Sequence, residues 1–141
     1  MADRVLVTGP PCAGKTTWAQ QNANGRPIID RDQIARDISG TTGWTFTDTV
    51  KRQAEAEFWR RVNAGGPAVI VRSHAHDAAR ARADHVVTLD PGRDTLYQRA
   101  QDRPAWTREA IDDWYSRETR ATQQRHHQAM RAAATRRALR G

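Results

Sequence analysis

Four short apolar runs punctuate an otherwise polar chain: Val5-Leu6-Val7-Thr8, Pro27-Ile28-Ile29-Asp30, Ala68-Val69-Ile70-Val71 and His85-Val86-Val87-Thr88-Leu89. Their length and β-branched content predict strands. The third run is apolar throughout, as expected for a parallel strand covered on both faces. Helical spacing fills the intervals. One helix begins near Lys15 and ends at Asn24-Gly25, and a second covers Gln33 to Ile38. A long helix runs from an Asp48 cap to about Ala64, with Val50, Ala54, Phe58 and Val62 on one face. A short helix is expected over Asp77–Ala83 and another from Asp94 to Gln101, broken by Asp102-Arg103-Pro104. Thr107 is the candidate cap of a last helix that continues into the tail. Strands alternating with helices predict an α/β domain, a parallel sheet of about four strands flanked by helices.

Length allows one domain with its own core, since 141 residues bury roughly two-thirds of the unfolded surface. Charge divides it. Residues 117–141 hold seven arginines against one acid, Glu118, a net +6 of the chain's +7. We therefore expect a near-neutral domain over residues 1–116 and an arginine-rich helical tail over 117–141. A basic tail on such a body points to a polyanionic partner, most simply nucleic acid. A solvated helix of ordinary surface charge is the plainer alternative. With Cys12 as the single cysteine, no intramolecular disulfide can form, which suits a reducing compartment. No apolar run is long enough to cross a bilayer and no leader pattern precedes the first strand. The expected setting is the cytoplasm, without a membrane partner; oligomeric state is not legible.

The chemistry begins at Gly9-Pro10-Pro11-Cys12-Ala13-Gly14-Lys15-Thr16, which satisfies G-x-x-x-x-G-K-[ST] between a strand and a helix. Glycines let successive N–H groups converge on a phosphate at the positive end of the following helix. Lys15 then reaches the β- and γ-phosphates, and the Thr16 hydroxyl ligates magnesium. Gly9, Pro11, Cys12, Ala13, Gly14, Lys15, Thr16 and Thr17 form the expected cradle for ATP and Mg2+. Chance would produce this pattern in about one chain in a thousand of this composition. Lysine also stands at the loop position in a chain with 21 arginines and two lysines.

Asp30-Arg31-Asp32 closes the second strand, and Arg36 follows one turn on. The carboxyl ends of parallel strands face the ligand crevice. A carboxylate there can accept the proton of an attacking hydroxyl, while Arg31 and Arg36 hold an anionic acceptor. Arg99 and Arg103 lie on the connection to the last helix, where arginines can close over a nucleotide. Trp44 and Phe46, in the Gly40–Thr47 loop, could stack on a planar base or simply pack the loop onto the core.

These motifs resemble the P-loop polynucleotide kinases, the 5'-hydroxyl kinases of tailed phages and bacterial RNA repair. The resemblance spans about residues 4–117 and rests on the loop with Thr16-Thr17-Trp18-Ala19, on Asp30-Arg31-Asp32, and on Arg99 and Arg103 before Pro104. It implies strand order 2-3-1-4, Asp32 as general base, and Arg99 and Arg103 as lid arginines on the nucleotide phosphates. A phage-encoded protein acting in its host's cytoplasm would fit. The acceptor side departs from that family. Ala35 stands where its phosphate-gripping arginine is expected, leaving Arg36 with a shifted reach. Val71-Arg72-Ser73 lacks the usual acid, with Asp77 the nearest. The pattern is also similar to phage kinases of hydroxymethylated pyrimidine bases in DNA. The acceptor alternatives are a 5'-hydroxyl end, such a base, or a nucleoside or small metabolite. A non-catalytic ATP-binding module serving a nuclease or packaging machine is a further class.

Several features carry less. His74-Ala75-His76 would face opposite sides if extended, which does not suit zinc. His126-His127 suits solvent or phosphate contact, and Cys12 is read as a small residue that fits its loop. Trp59, Trp106 and Trp114 lie on helical patterns and are expected in the core.

Overall fold

Strand alternation builds the two sides of the core. The computed structural model describes residues 3–140; residues 1–2 and 141, the outer ends of the two expected domains, lie outside the described residues. β1 (Arg4–Thr8), β2 (Ile28–Asp30), β3 (Ala68–Val71) and β4 (His85–Thr88) form one sheet in the order β2-β3-β1-β4. Every pairing is parallel, with Leu6 opposite Ile70 and Val86, and Ile29 opposite Ile70. The order is the one the family resemblance implies. Central strands β1 and β3 are buried at every position, while edge strand β4 is largely open.

Because side chains alternate across a sheet, Leu6, Ile29 and Ile70 face one way and Val5, Val7, Val69 and Val71 the other. The first set packs on α2 (Arg31–Ser39) and α3 (Asp48–Asn63) through Ile34, Phe58, Trp59 and Val62. The second is covered by α1 (Lys15–Asn22) through Ala19, with Trp18 beside it. Phe58 is fully buried, and truncating such a ring typically costs about 3–5 kcal/mol. A third cluster joins Ala13 of the loop to Leu96 of α4 (Arg93–Arg99) and Ile111 of α5 (Trp106–Arg140). Arg4 is buried at the opposite end of β1. Its guanidinium donates to the Val62, Gly66 and Ala81 carbonyls, placing a cation at the negative C-terminal end of α3.

Several boundaries differ from the sequence reading. Thr47, not Asp48, caps α3: its hydroxyl accepts from Val50 N, and Asp48 instead adds charge to the first turn. Residues 77–83 do not form the expected helix. A 3-10 turn over Ala75–Asp77 leads into tight turns with Arg82 at φ 52°, so tertiary packing of buried Ala81 overrides an alanine-rich composition. Thr107 lies inside α5 and is no cap. Its buried hydroxyl has no partner among the described residues. Trp59 and Trp114 are core, but Trp106 is 44% exposed.

α5 is continuous through residue 116, so the expected boundary falls within one helix. Thr107, Ile111 and Trp114 bury its first turns. From Arg117 on, side chains are mainly exposed, and that stretch projects about 35 Å at 1.5 Å per residue.

Gly9 is a position of close approach. Its φ is 153°, and a Cβ there would lie 2.5 Å from the Leu89 carbonyl oxygen. Gly9→Ala should cost about 2 kcal/mol or more, from clash with backbone and strain together. Urea unfolding of the purified variant measures it, and a midpoint equal to wild type would contradict the packing described.

Candidate active site

The loop between β1 and α1 is an anion cradle made by what α1 lacks. Its cap is Gly14, at φ 94°, with no side chain to satisfy the first N–H groups, and no acid sits in its first turn. Those donors stay available at the positive end of the helix. Cys12, at φ 68°, and Ala13, whose N–H bonds the Pro10 carbonyl at 3.2 Å, complete the curl. Lys15 folds back over it. Its ammonium donates to the Gly9 carbonyl at 2.6 Å and the Pro10 carbonyl at 3.0 Å. Burial pushes the ammonium pKa down to about 8, even though Asp32 and Asp30 pull it upward. A phosphate placed there would supply counter-charge that offsets the lost hydration.

Thr16 meets Asp30. The hydroxyl donates to Asp30 Oδ2 at 3.1 Å, while Oδ1 caps α2 by accepting from Asp32 N at 3.0 Å. Burial raises the Asp30 carboxyl, and the neighbouring Asp32 charge raises it further. A carboxylate whose charge is disfavoured gains from a divalent cation, and a hydroxyl beside a carboxylate is the hard-oxygen donor set that suits magnesium. The residues present therefore fit the metal. Sequence reading placed Asp30 on the acceptor side and left the acid partner of Thr16 unassigned. The available signal was its position at the last residue of β2, beside the phosphate loop.

The other half of the crevice is an ion-paired ring. Asp32 is exposed, 3.6 Å from Arg31, and Arg31 also faces Glu55 at 3.8 Å. Arg72 donates to Glu55 at 3.1 Å and Asp77 at 2.9 Å, with its guanidinium 4.8 Å above the Phe58 ring. Burial works against the Glu55 charge, yet hydrogen bonds from Arg72 and Trp59 hold its carboxyl below the usual range. Where β3 lacks an acid, Arg72 thus gathers two from elsewhere. Glu55 escaped the sequence reading; its only sign was a charge one turn before Trp59 on a core-packing helix. Ala35 is buried in the core, so no arginine could serve from that position. Arg36 instead donates to the Gly43 carbonyl at 3.1 Å and steadies the loop after α2.

Arg99 reaches the phosphate loop, donating to the Cys12 carbonyl at 3.0 Å. Arg103 does not; its guanidinium lies 4.0 Å over the Trp44 ring. Phe46 packs against the core cluster, leaving Trp44 as the exposed aromatic of that loop. The histidines do not face opposite sides as expected, because the segment is a 3-10 turn: the His74 and His76 rings lie 5.9 Å apart. His74 stacks on Trp114 and bonds Glu118 at 2.8 Å, and Trp114 donates to the Ser73 carbonyl at 2.6 Å. These contacts fix α5 to the end of β3.

A single crevice of about 1330 Å3 is lined by the loop from Pro11 to Thr17 and by Asp30, Asp32 and Arg36. Arg31, Trp44, Arg99, Arg103 and the start of the basic helix, Arg117, line it too. It exceeds the usual 300–1,000 Å3 of a one-ligand pocket, leaving room for a nucleotide and an acceptor together.

Fold and site together define a P-loop domain of the kinase-like kind. The chain matches the family model described as an AAA domain over residues 5–105 and belongs to that family. No curated protein sequence matches it significantly. Among solved structures it is similar to shikimate kinase from Acinetobacter baumannii in complex with shikimate, at 20% identity and TM-score 0.59, covering 81% of this chain and 74% of that one. Shikimate kinase from Bacteroides thetaiotaomicron gives 19%, TM-score 0.57, and 86% and 81% coverage. A candidate kinase from Chloroflexus aurantiacus gives 19%, TM-score 0.58, and 77% and 76%. At these identities the likeness is one of fold. Among the described residues no helix is long and apolar enough to cross a membrane.

The Lys15 environment sets a pH dependence. Phosphate binds the protonated ammonium, whose pKa in the free protein is lowered to about 8. ADP–magnesium affinity should be level below that pH and fall above it, by up to about tenfold per pH unit. Titration calorimetry from pH 6.5 to 9.5 measures this, and affinity that stays level through pH 9.5 would contradict the assignment.

Proposed function

We propose that this protein is an ATP- and magnesium-dependent phosphotransferase that moves the γ-phosphoryl group to a hydroxyl of a nucleic acid, a 5'-hydroxyl end or a hydroxymethylated pyrimidine base. One observation carries the transfer reading: the uncapped loop with Lys15, the Thr16–Asp30 pair, and Asp32 all open onto one crevice. The loop N–H groups and Lys15 bind the β- and γ-phosphates; Thr16 and Asp30 would hold magnesium. Bound there, the metal would supply charge neutralisation to the phosphates. The acceptor oxygen bonds to the γ-phosphorus as the bond to the β-γ bridging oxygen breaks. Its proton passes to the Asp32 carboxylate and ADP leaves. Arg99, already on the loop, neutralises charge on the transferred group.

The nucleic-acid acceptor is supported by Arg117, which lines the crevice at the root of the exposed arginine helix. Asp32 and Arg117 line the same crevice, so a strand held along that helix would lead into it. A small-metabolite acceptor is the second reading, favoured by the Arg31–Glu55–Arg72–Asp77 ring, which balances its own charges and suits a compact polar molecule.

Asp32→Ala should lower transfer by about 10²- to 10⁴-fold, the usual contribution of a positioned base, with ADP affinity little changed. Undiminished transfer would remove Asp32 from the chemistry. Deleting residues 121–141 separates the acceptor readings. For a nucleic acid, acceptor KM rises and the log–log salt slope shrinks by about 0.7 per lost phosphate contact. Unchanged turnover of the true acceptor would favour the metabolite.

A further inference from the structure

Beyond Glu118 the last helix carries no acid, and its arginines stand without counter-charge. Arg31, Arg60, Arg72 and Arg117 each meet a carboxylate. Among the described residues Arg120, Arg125, Arg131, Arg136 and Arg137 meet none, and all five are exposed. Their placement around α5 is ordered. At about 100° per residue, Arg120 and Arg131 fall on one line along the helix, and Arg125 and Arg136 on a second line about 140° around from it. Between the two lines runs a strip without charge: Ala121, Gln124, Gln128, Ala132, Thr135 and Leu139. Arg137 lies on the opposite side. Arg117, which lines the crevice, sits at the root of this strip. The strip suits neither a second helix nor a bilayer. Its centre holds two glutamines where a helix–helix seam needs large apolar residues, and Leu139 is its one large apolar side chain.

We propose that this face of α5 docks in the major groove of double-stranded DNA, which makes duplex DNA the acceptor class of the crevice. The inference rests on the nucleic-acid reading above. The major groove of B-form DNA is about 12 Å wide and takes one helix of about 10–12 Å. There the strip meets base edges. Gln124 and Gln128 can offer their amides to adenine, and the alanine and Thr135 methyls can meet thymine methyls. The two arginine lines then face the two walls of the groove, one phosphate backbone each. A single strand would engage one line and leave the other unanswered, and the strip has no aromatic ring on which bare bases could stack. The deep, narrow major groove of A-form RNA excludes a helix. Because Arg117 borders both strip and crevice, a duplex seated on the strip adjoins the crevice.

Fluorescence anisotropy of the full-length protein reads docking without transfer, on a DNA duplex, one of its single strands and the RNA duplex of the same sequence. The DNA duplex should bind at least about tenfold tighter than either other probe. Neutralising either line, by Arg120→Gln with Arg131→Gln or by Arg125→Gln with Arg136→Gln, should reduce the log–log salt slope by about 1.8, at about 0.9 per lost phosphate contact. Arg137→Gln, on the far side, should change it least. Ala132→Phe leaves the charge intact but fills the strip, and should weaken duplex binding about five- to tenfold. Ala133→Phe, turned about 100° away, should bind as wild type. Equal binding of the three probes, preference for the single strand or the RNA, or wild-type binding by Ala132→Phe would overturn the groove assignment. Duplex binding with the expected signs but no phosphate transferred to DNA would overturn the catalytic reading instead and leave the docking face standing.

Discussion

The structure depends on a helix that begins without a cap. α1 starts at Gly14, so its first N–H groups have no side-chain acceptor and no carboxylate beside them. Left in water they would be ordinary; set above the end of a buried parallel sheet they concentrate positive potential at one point. Lys15 adds a desolvated ammonium to the same point. Much of the surrounding architecture answers that concentration. The β2-β3-β1-β4 order sets the ends of β3 and β2 on one side of the loop, which brings Asp30 and Arg72 to the crevice.

A division of labour follows from the charges. The loop side is positive and short of partners: Lys15 rests on two carbonyls, and Arg99 on a third. The acceptor side is balanced, with Arg31 and Arg72 each held by carboxylates. Under the proposed function, polyphosphate is drawn to the first and the second orients the acceptor. Asp32 stands where they meet, its carboxylate exposed to the crevice and close enough to Lys15 to raise that ammonium's pKa.

Much of this was legible in the sequence because the relevant rules are local. The phosphate loop is contiguous, and its spacing follows from backbone geometry. The strands are short apolar runs whose parallel pairing requires intervening helices, and Ala68–Val71 forms as the pattern dictates. What could not be read depends on contacts remote in sequence. Glu55 joins the crevice because α3 packs Phe58 and Trp59 against β3, bringing a carboxylate to Arg72 seventeen positions on. Asp30 meets Thr16 across fourteen positions. Arg103 meets Trp44, and Trp106 meets Thr45, between segments far apart in the chain. The residues 77–83 misled for the complementary reason: alanine-rich composition favours a helix, but packing Ala81 into the core imposes turns.

The most direct measurement is transfer of label from the γ-phosphate of ATP, with magnesium, to three acceptors side by side. These are a 5'-hydroxyl oligonucleotide, DNA containing 5-hydroxymethyluracil, and a mixture of nucleosides and small polar metabolites. The account predicts label on a nucleic-acid acceptor, abolished in Lys15→Ala. Nucleotide bound tightly with no label on any acceptor would contradict it, and would mark the crevice as a nucleotide sensor rather than a site of transfer.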